Sequence, residues 1–231
     1  MSMKENIEAI RMQIDSHAKK SGRSASDITL IAVSKTRTAE EIEQVISLGI
    51  TDIGENKAQE LLNKVDQVVL PARWHMIGHL QRNKVRQIID KVYMIHSVDS
   101  FRLAAEIDKR ARAAGLTMRI LIQVNAAGEE NKSGVAPEDA RGLIEQILEE
   151  CEHICIKGLM HMAPLAEDPE HVRHYFTEVK ALYDELSHIK HPRLDFSVLS
   201  MGMSGDFGVA IEEGASAVRI GTALFGNRDY Q

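Results

Sequence analysis

From Ile28 onward the chain alternates between two hydrophobic patterns. Short, nearly continuous apolar runs read as buried strands, and longer stretches with apolar residues every third or fourth position read as amphipathic helices. The strand-like runs are ITLIAVS, DIG, WHMIG, YMIHSV, RILIQV, ICIKGLM, DFSVLS and AVRIGTAL, eight in all. Between them, TAEEIEQVISLG opens on a capping Thr38 with acids in its first turn and closes on Gly49, and SFRLAAEIDKRARAAG closes on Gly115. Further helices fit APEDARGLIEQILEE and DPEHVRHYFTEVKALYDELSHI, and one more, over roughly residues 3–20, precedes the first strand.

Strands that alternate with helices through short connections must pair in parallel. Eight such units predict an α/β protein, a single (β/α)8 TIM barrel with an extra N-terminal helix, as one domain over residues 1–231. The structural competitor is a doubly wound open sheet, whose nucleotide fingerprint is a Gly-rich turn directly after the first strand. Here the first strand runs into SKTRT.

Composition narrows the function classes. A 44% hydrophobic chain of 231 residues supplies one large core, and a net charge of −6 without any basic stripe leaves nothing to neutralise a phosphate backbone, so no nucleic-acid partner is expected. Cys151 and Cys155 belong to no paired metal motif and read as structural residues at the lower end of the barrel. With neither a signal-peptide pattern at the start nor a run long enough to span a membrane, a soluble cytoplasmic protein is expected.

In a barrel, ligands bind at the C-terminal strand ends, so polar residues there carry the functional reading. Period-two alternation groups Ile31, Val33 and Lys35 on one face of the first strand. If that face is axial, Lys35 sits at the rim, where partial desolvation lowers an ammonium pKa and makes a nucleophile; a lysine snorkelling from a strand end is the alternative. On the last strand Ala217, Arg219 and Gly221 share a face, which leaves room around a large cation for a ligand, or else pairs Arg219 with a core carboxylate.

The loop LSMGMSGDFG, with Ser200, Gly202, Ser204 and Gly205, and the loop IGTALFG, with Gly221 and Thr222, follow the seventh and eighth strands, where barrels often hold phosphate. A lysine nucleophile, an arginine and a phosphate cradle together are what pyridoxal 5′-phosphate requires. Asn56 either touches the ligand or caps the helix it opens. His79, Gln81, Asn83 and Lys84 lie after the third strand, and NAAGEENKSGV reads as a top-face loop. His161, His171 and His174 invite a metal reading, but their spacing compels no third ligand and no metal site is expected.

The blocks AVSKTR, IGENKAQE, WHMIGHLQRNK, IHSVDS, VNAAGEENKSGV, GLMHMAP, LSMGMSGDF and VRIGTALFG, in this order, closely resemble the pyridoxal phosphate homeostasis proteins, the YggS or PROSC type, from about Ile28 to Gly226. The resemblance implies a barrel like the N-terminal domain of alanine racemase, with the cofactor held as a Schiff base on Lys35. It implies that Ser200, Gly221 and Thr222 hold the phosphate, with backbone from Met201, that Arg219 faces the pyridine nitrogen and that Asn56 lines the ring pocket. Two departures, Lys57 where an aromatic residue is common and His161 where threonine or alanine is common, bear on local polarity.

An arginine against the ring nitrogen disfavours its protonation and makes the ring a poor electron sink. Racemisation also needs a second acid-base group, which alanine racemases draw from a further domain, and this chain ends at Gln231 after the barrel. The expectation is therefore a monomeric protein that holds, buffers and delivers pyridoxal phosphate without turnover, with apo pyridoxal-phosphate enzymes as recipients. The alternative is a racemase-like enzyme drawing its acid-base group from a top loop, for instance His79.

Overall fold

The computed structural model describes residues 2–129 and 133–226. Glu130, Asn131 and Lys132 of the expected top-face loop lie outside them, as does Gln231. Eight parallel strands close into a barrel in sequential order: β1 (Thr29–Val33), β2 (Asp52–Glu55), β3 (Arg73–Met76), β4 (Met94–Val98), β5 (Met118–Val124), β6 (Ile154–His161), β7 (Leu194–Ser200) and β8 (Ala217–Ile220). The seam closes as Thr29–Ala32 pair with Ala217–Ile220. Each expected strand is present.

The helices are α1 (Met3–Lys20), α2 (Ala39–Ser47), α3 (Ala58–Val65), α4 (Arg82–Ile88), α5 (Phe101–Ala113), α6 (Ala140–Glu150), α7 (Arg173–Ser187), α8 (Phe207–Glu212) and α9 (Thr222–Phe225). Local chemistry sets several ends. Thr38 and Glu41 form a reciprocal capping box at the start of α2, and Gly49 and Gly115 leave α2 and α5 through positive φ of 86° and 67°. In α1 the stripe Ile7, Ile10, Ile14 and Ala18 is buried, and each of those isoleucines contributes about 1.5–3 kcal/mol by leaving water.

One expectation needs correction. AVRIGTAL reads as a single strand, yet residues 222–225 are helical. The ladder explains this: β1 offers its last partner to β8 at Ala32–Ile220, so beyond Ile220 an extended chain has nothing to bond. Turning at Gly221 buries Leu224 instead.

Alternate residues of the strands face two environments. Ile53, Trp74, Ile95, Ile120, Leu159, Leu199 and Val218 join the large apolar layer between barrel and helices. The opposite face is apolar only in part, through Met94, Leu121 and Met160. Barrel interiors are normally filled by stacked aliphatic chains. Here Asp52, His75, His96, Ser200 and Arg219 take much of that space, and all five are buried. Cys151 and Cys155 lie at the end of α6 and the start of β6, the lower end of the barrel, as free thiols.

Candidate functional site

Lys35 follows the end of β1, half-buried. The backbone around it is fixed from both sides. Ser34 N–H donates to Gly54 O at 3.0 Å, and the next residue past the lysine, Thr36, holds a φ of 65°, a conformation that a β-branched side chain resists. Thr36 N–H donates to Glu60 Oε2 at 2.9 Å and Arg37 N–H to Ser34 O at 2.9 Å, which hold the turn. On the outer side of the strand Ser34 Oγ donates to Glu55 Oε1 at 2.6 Å, and Lys64 Nζ reaches the same carboxylate oxygen at 2.6 Å and Ser34 O at 2.7 Å. Burial pushes the Glu55 carboxyl above the ordinary range, against the hydrogen bonds from Lys64 and Ser34. A buried ion pair thus pins the strand end from which Lys35 projects.

Arg219 is 3% exposed. Its Nη1 donates to Ser200 Oγ at 2.6 Å and its Nη2 to the backbone oxygen of His161 at 2.8 Å. Both are neutral oxygens, so the pairing with a core carboxylate weighed for this arginine is not what holds it. Burial pushes its pKa down to about 10, opposed by the charge of Asp206. The interior of the barrel therefore stores a cation hydrogen-bonded only to neutral oxygens among the described residues.

Beneath it a row of side chains continues downward. Ser200 Oγ lies 3.1 Å from His96 Nδ1, His96 Nε2 lies 2.9 Å from His75 Nδ1, and His75 Nε2 lies 2.9 Å from Asp52 Oδ1. Arg73, half-exposed at the lower end, donates to the other oxygen of Asp52. Complete burial, with the charges of His75 and Arg219, holds the His96 pKa well below its ordinary value. Burial works to raise the Asp52 pKa, but the bonds from His75 and Arg73 prevail and it lies below the usual carboxylate range.

The two glycine-rich loops meet above Arg219. Ser204 Oγ accepts from Gly221 N–H and Ala223 N–H, each at 3.3 Å, and Arg219 N–H donates to Gly202 O at 3.0 Å. Thr222 is exposed at the start of α9. The Met201 N–H is committed to Ala217 O at 3.1 Å and its side chain is buried in the outer layer. Ser200, grouped by sequence with the loop residues, instead has its hydroxyl buried between Arg219 and His96, and the hydroxyl that joins the two loops belongs to Ser204.

Asn56 does not cap α3: Lys57 occupies that position, exposed, with no side-chain cap bond. The Asn56 Oδ1 is buried and has no hydrogen-bond partner among the described residues. A Cβ at Gly78 would stand 2.3 Å from Asn56 O, so only glycine lets the loops after β2 and β3 approach this closely and fix Asn56 at the mouth. His79 is exposed, 3.4 Å from Ser133 Oγ on the loop after β5. His161 is buried with Nδ1 3.0 Å from Val124 O, whereas His171 and His174 are exposed. Among the described residues no group of three or more His, Cys, Asp or Glu is placed to hold a metal ion.

Residues 6–229 match the sequence model of the alanine racemase N-terminal domain. A pyridoxal phosphate homeostasis protein of Aquifex aeolicus (strain VF5) is 43% identical over 231 residues, 100% of both chains. Another from Vibrio cholerae serotype O1 is 38% identical over 240 residues, 99% of this chain and 98% of its own. The solved structure of PipY from Synechococcus elongatus PCC7942 with PLP bound shares 32% identity at a TM-score of 0.84, over 97% of this chain and 100% of that one. An alanine racemase of Clostridium difficile 630, 14% identical, shares the fold at a TM-score of 0.71 over 99% of this chain and 57% of its own. Similar to these relatives along its whole length, and closed into the same barrel, the chain belongs to the pyridoxal phosphate homeostasis protein family.

Proposed function

We propose that this protein binds pyridoxal 5′-phosphate at the upper end of its barrel, covalently through Lys35, and serves to hold and deliver the cofactor within the cell without turning over a substrate. The observation that carries the reading is Arg219, a buried cation whose hydrogen bonds go to neutral oxygens and which lies under the loops that follow β7 and β8. The unpartnered Oδ1 of Asn56 and the hydroxyl-bridged glycine loops fit the same group. A phosphorylated aldehyde needs an amine, a donor-rich phosphate cradle and a partner for its ring nitrogen, and the residues present supply all three.

In this assignment Lys35 would supply the amine that holds the aldehyde carbon of the cofactor. Thr222, through its N–H and hydroxyl, and Ser204, through the hydroxyl that links it to Gly221, would hold the phosphate, and Ser200 would contribute beneath it as the support of Arg219. Asn56 lines the ring pocket. When bound, the cofactor supplies an electrophilic carbon and, if its ring nitrogen is protonated, an electron sink. Arg219 opposes that protonation, because a fixed cation beside the nitrogen disfavours a second positive charge. Storage and delivery to apo pyridoxal-phosphate enzymes follow from a site that binds the cofactor while muting its chemistry, a role we assign to a monomer.

The test is the visible spectrum of the purified protein loaded with pyridoxal phosphate, before and after borohydride, beside Lys35→Ala. A visible band that borohydride removes and the variant lacks is expected, together with transfer of cofactor to an apo-enzyme and no amino-acid turnover. Absence of the band in the native protein overturns the covalent assignment. Reproducible racemisation lost in both Lys35→Ala and His79→Ala overturns the non-enzymatic one.

A further inference from the structure

The buried row Asp52, His75, His96 and Ser200 spans the barrel from its lower end to Arg219. Its two terminal members have fixed hydrogen-bonding character. The guanidinium of Arg219 can only donate, and the carboxylate of Asp52, already receiving Arg73, can only accept. Between them stand three groups that can each do both. With both imidazoles uncharged, one arrangement satisfies every contact: Arg219 donates to Ser200 Oγ, the Ser200 hydroxyl to His96 Nδ1, His96 Nε2–H to His75 Nδ1, and His75 Nε2–H to Asp52 Oδ1. All four bonds then point downward.

From this geometry we infer that Asp52, His75 and His96 are positioning residues for Arg219. They act through Ser200, whose hydroxyl they draw down and whose lone pairs they thereby leave for the guanidinium. Arg219 has two anchors, the Ser200 hydroxyl and the His161 carbonyl, so the orientation of its remaining N–H groups depends on both. Polar interiors in a barrel cost burial free energy that an aliphatic filling would not. A polarised row with a carboxylate at one end gives that cost a function, since each bond in such a chain strengthens the next. A cavity of about 150 Å³, whose lining includes Asp52, Arg73, His75 and His96, opens beside the lower half of the row. The inference rests on the reading of Arg219 as partner of the ring nitrogen.

Asp52→Asn tests it. The guanidinium of Arg73 carries only donors and repels an amide N–H, so the new amide turns its oxygen toward Arg73 and its N–H toward His75 Nε2, which must now accept. The row reverses: both histidines pass from the Nε2–H to the Nδ1–H tautomer, and His96 donates to Ser200 Oγ in competition with Arg219. Long-range nitrogen-15 NMR of the histidines reads this without any cofactor. Native protein is expected to show Nε2–H at His75 and His96, and the variant Nδ1–H at both. Pyridoxal phosphate affinity is expected to fall by roughly three- to tenfold, the range of one net hydrogen bond, with a shifted visible band. Ser200→Ala, which cuts the row at its upper end, gives the same loss if Asp52→Asn does not fold.

An Nδ1–H tautomer at His96 in the native protein overturns the inference. So does a variant with reversed tautomers whose affinity and spectrum equal the native ones. If native protein binds no pyridoxal phosphate, the proposed function fails, and the tautomers still report whether the row is polarised as described.

Discussion

Thr36 sits one residue past the proposed nucleophile with a φ of 65°, where a β-branched side chain costs about 1–2 kcal/mol and glycine costs almost nothing. Thr36→Gly is therefore expected to be about 1 kcal/mol more stable than Thr36→Ala in urea unfolding. Equal stabilities would mean that the contacts of the turn, not its backbone angle, decide its energy. The same turn aims Lys35, so its strain belongs with the site. Single residues were also where the sequence spoke most clearly. The grouping of Lys35 with Ile31 and Val33, and of Arg219 with Ala217, follows from period-two alternation, which is local. The neighbours of Ser200 were not legible for the opposite reason. Its hydroxyl meets His96 of β4 and Arg219 of β8, contacts set by strand register around a closed barrel, and no local pattern encodes them.

Between elements, the joint that matters most ties β1, β2 and α3 through Ser34, Glu55 and Lys64. Glu55 is fully buried, so removing its cation strands a charge: Lys64→Met is expected to cost about 3–5 kcal/mol at neutral pH. The sign of its pH dependence follows from the raised pKa of Glu55. A carboxyl that holds its proton more tightly when folded stabilises the protein fully below the unfolded pKa, and that contribution is lost as pH rises through the folded one. The cost of Lys64→Met should accordingly shrink in acid, as chemical denaturation at two pH values would reveal; a constant cost would show that Glu55 stays charged. Helix and strand existence was legible here from hydrophobic period, caps and terminal glycines. Residues 222–225 escaped because a strand ends where its neighbour stops offering bonds, and that neighbour is β1, nearly two hundred residues earlier.

At the scale of the whole molecule, α1 fastens the first part of the chain to the last. Asn6 Nδ2 donates to Leu224 O at 3.0 Å, and His17 and Lys20 reach Glu212 at 2.8 and 2.9 Å. Arg173 joins Glu212, Glu213 and Glu170, and hydrogen bonds from Arg173 first and Lys20 next hold the Glu212 pKa down to about 2. A carboxylate depressed in this way stabilises the fold above its ordinary value of 4.5 and ceases to do so as pH falls toward 2. Arg173→Met is expected to cost about 1–2 kcal/mol near neutrality, with the difference from native protein vanishing through that acid window; a difference that persists there would place the effect in packing. The clasp has a further consequence during biosynthesis. β1 finds its second neighbour only when Ala217–Ile220 have been made. At ~5–20 residues per second, a nascent chain spends on the order of ten to forty seconds with one edge of β1 unpaired and the isoleucines of α1 uncovered. A ribosome stalled before the final unit therefore displays an adhesive template, and this protein's demand for chaperones should concentrate in that interval.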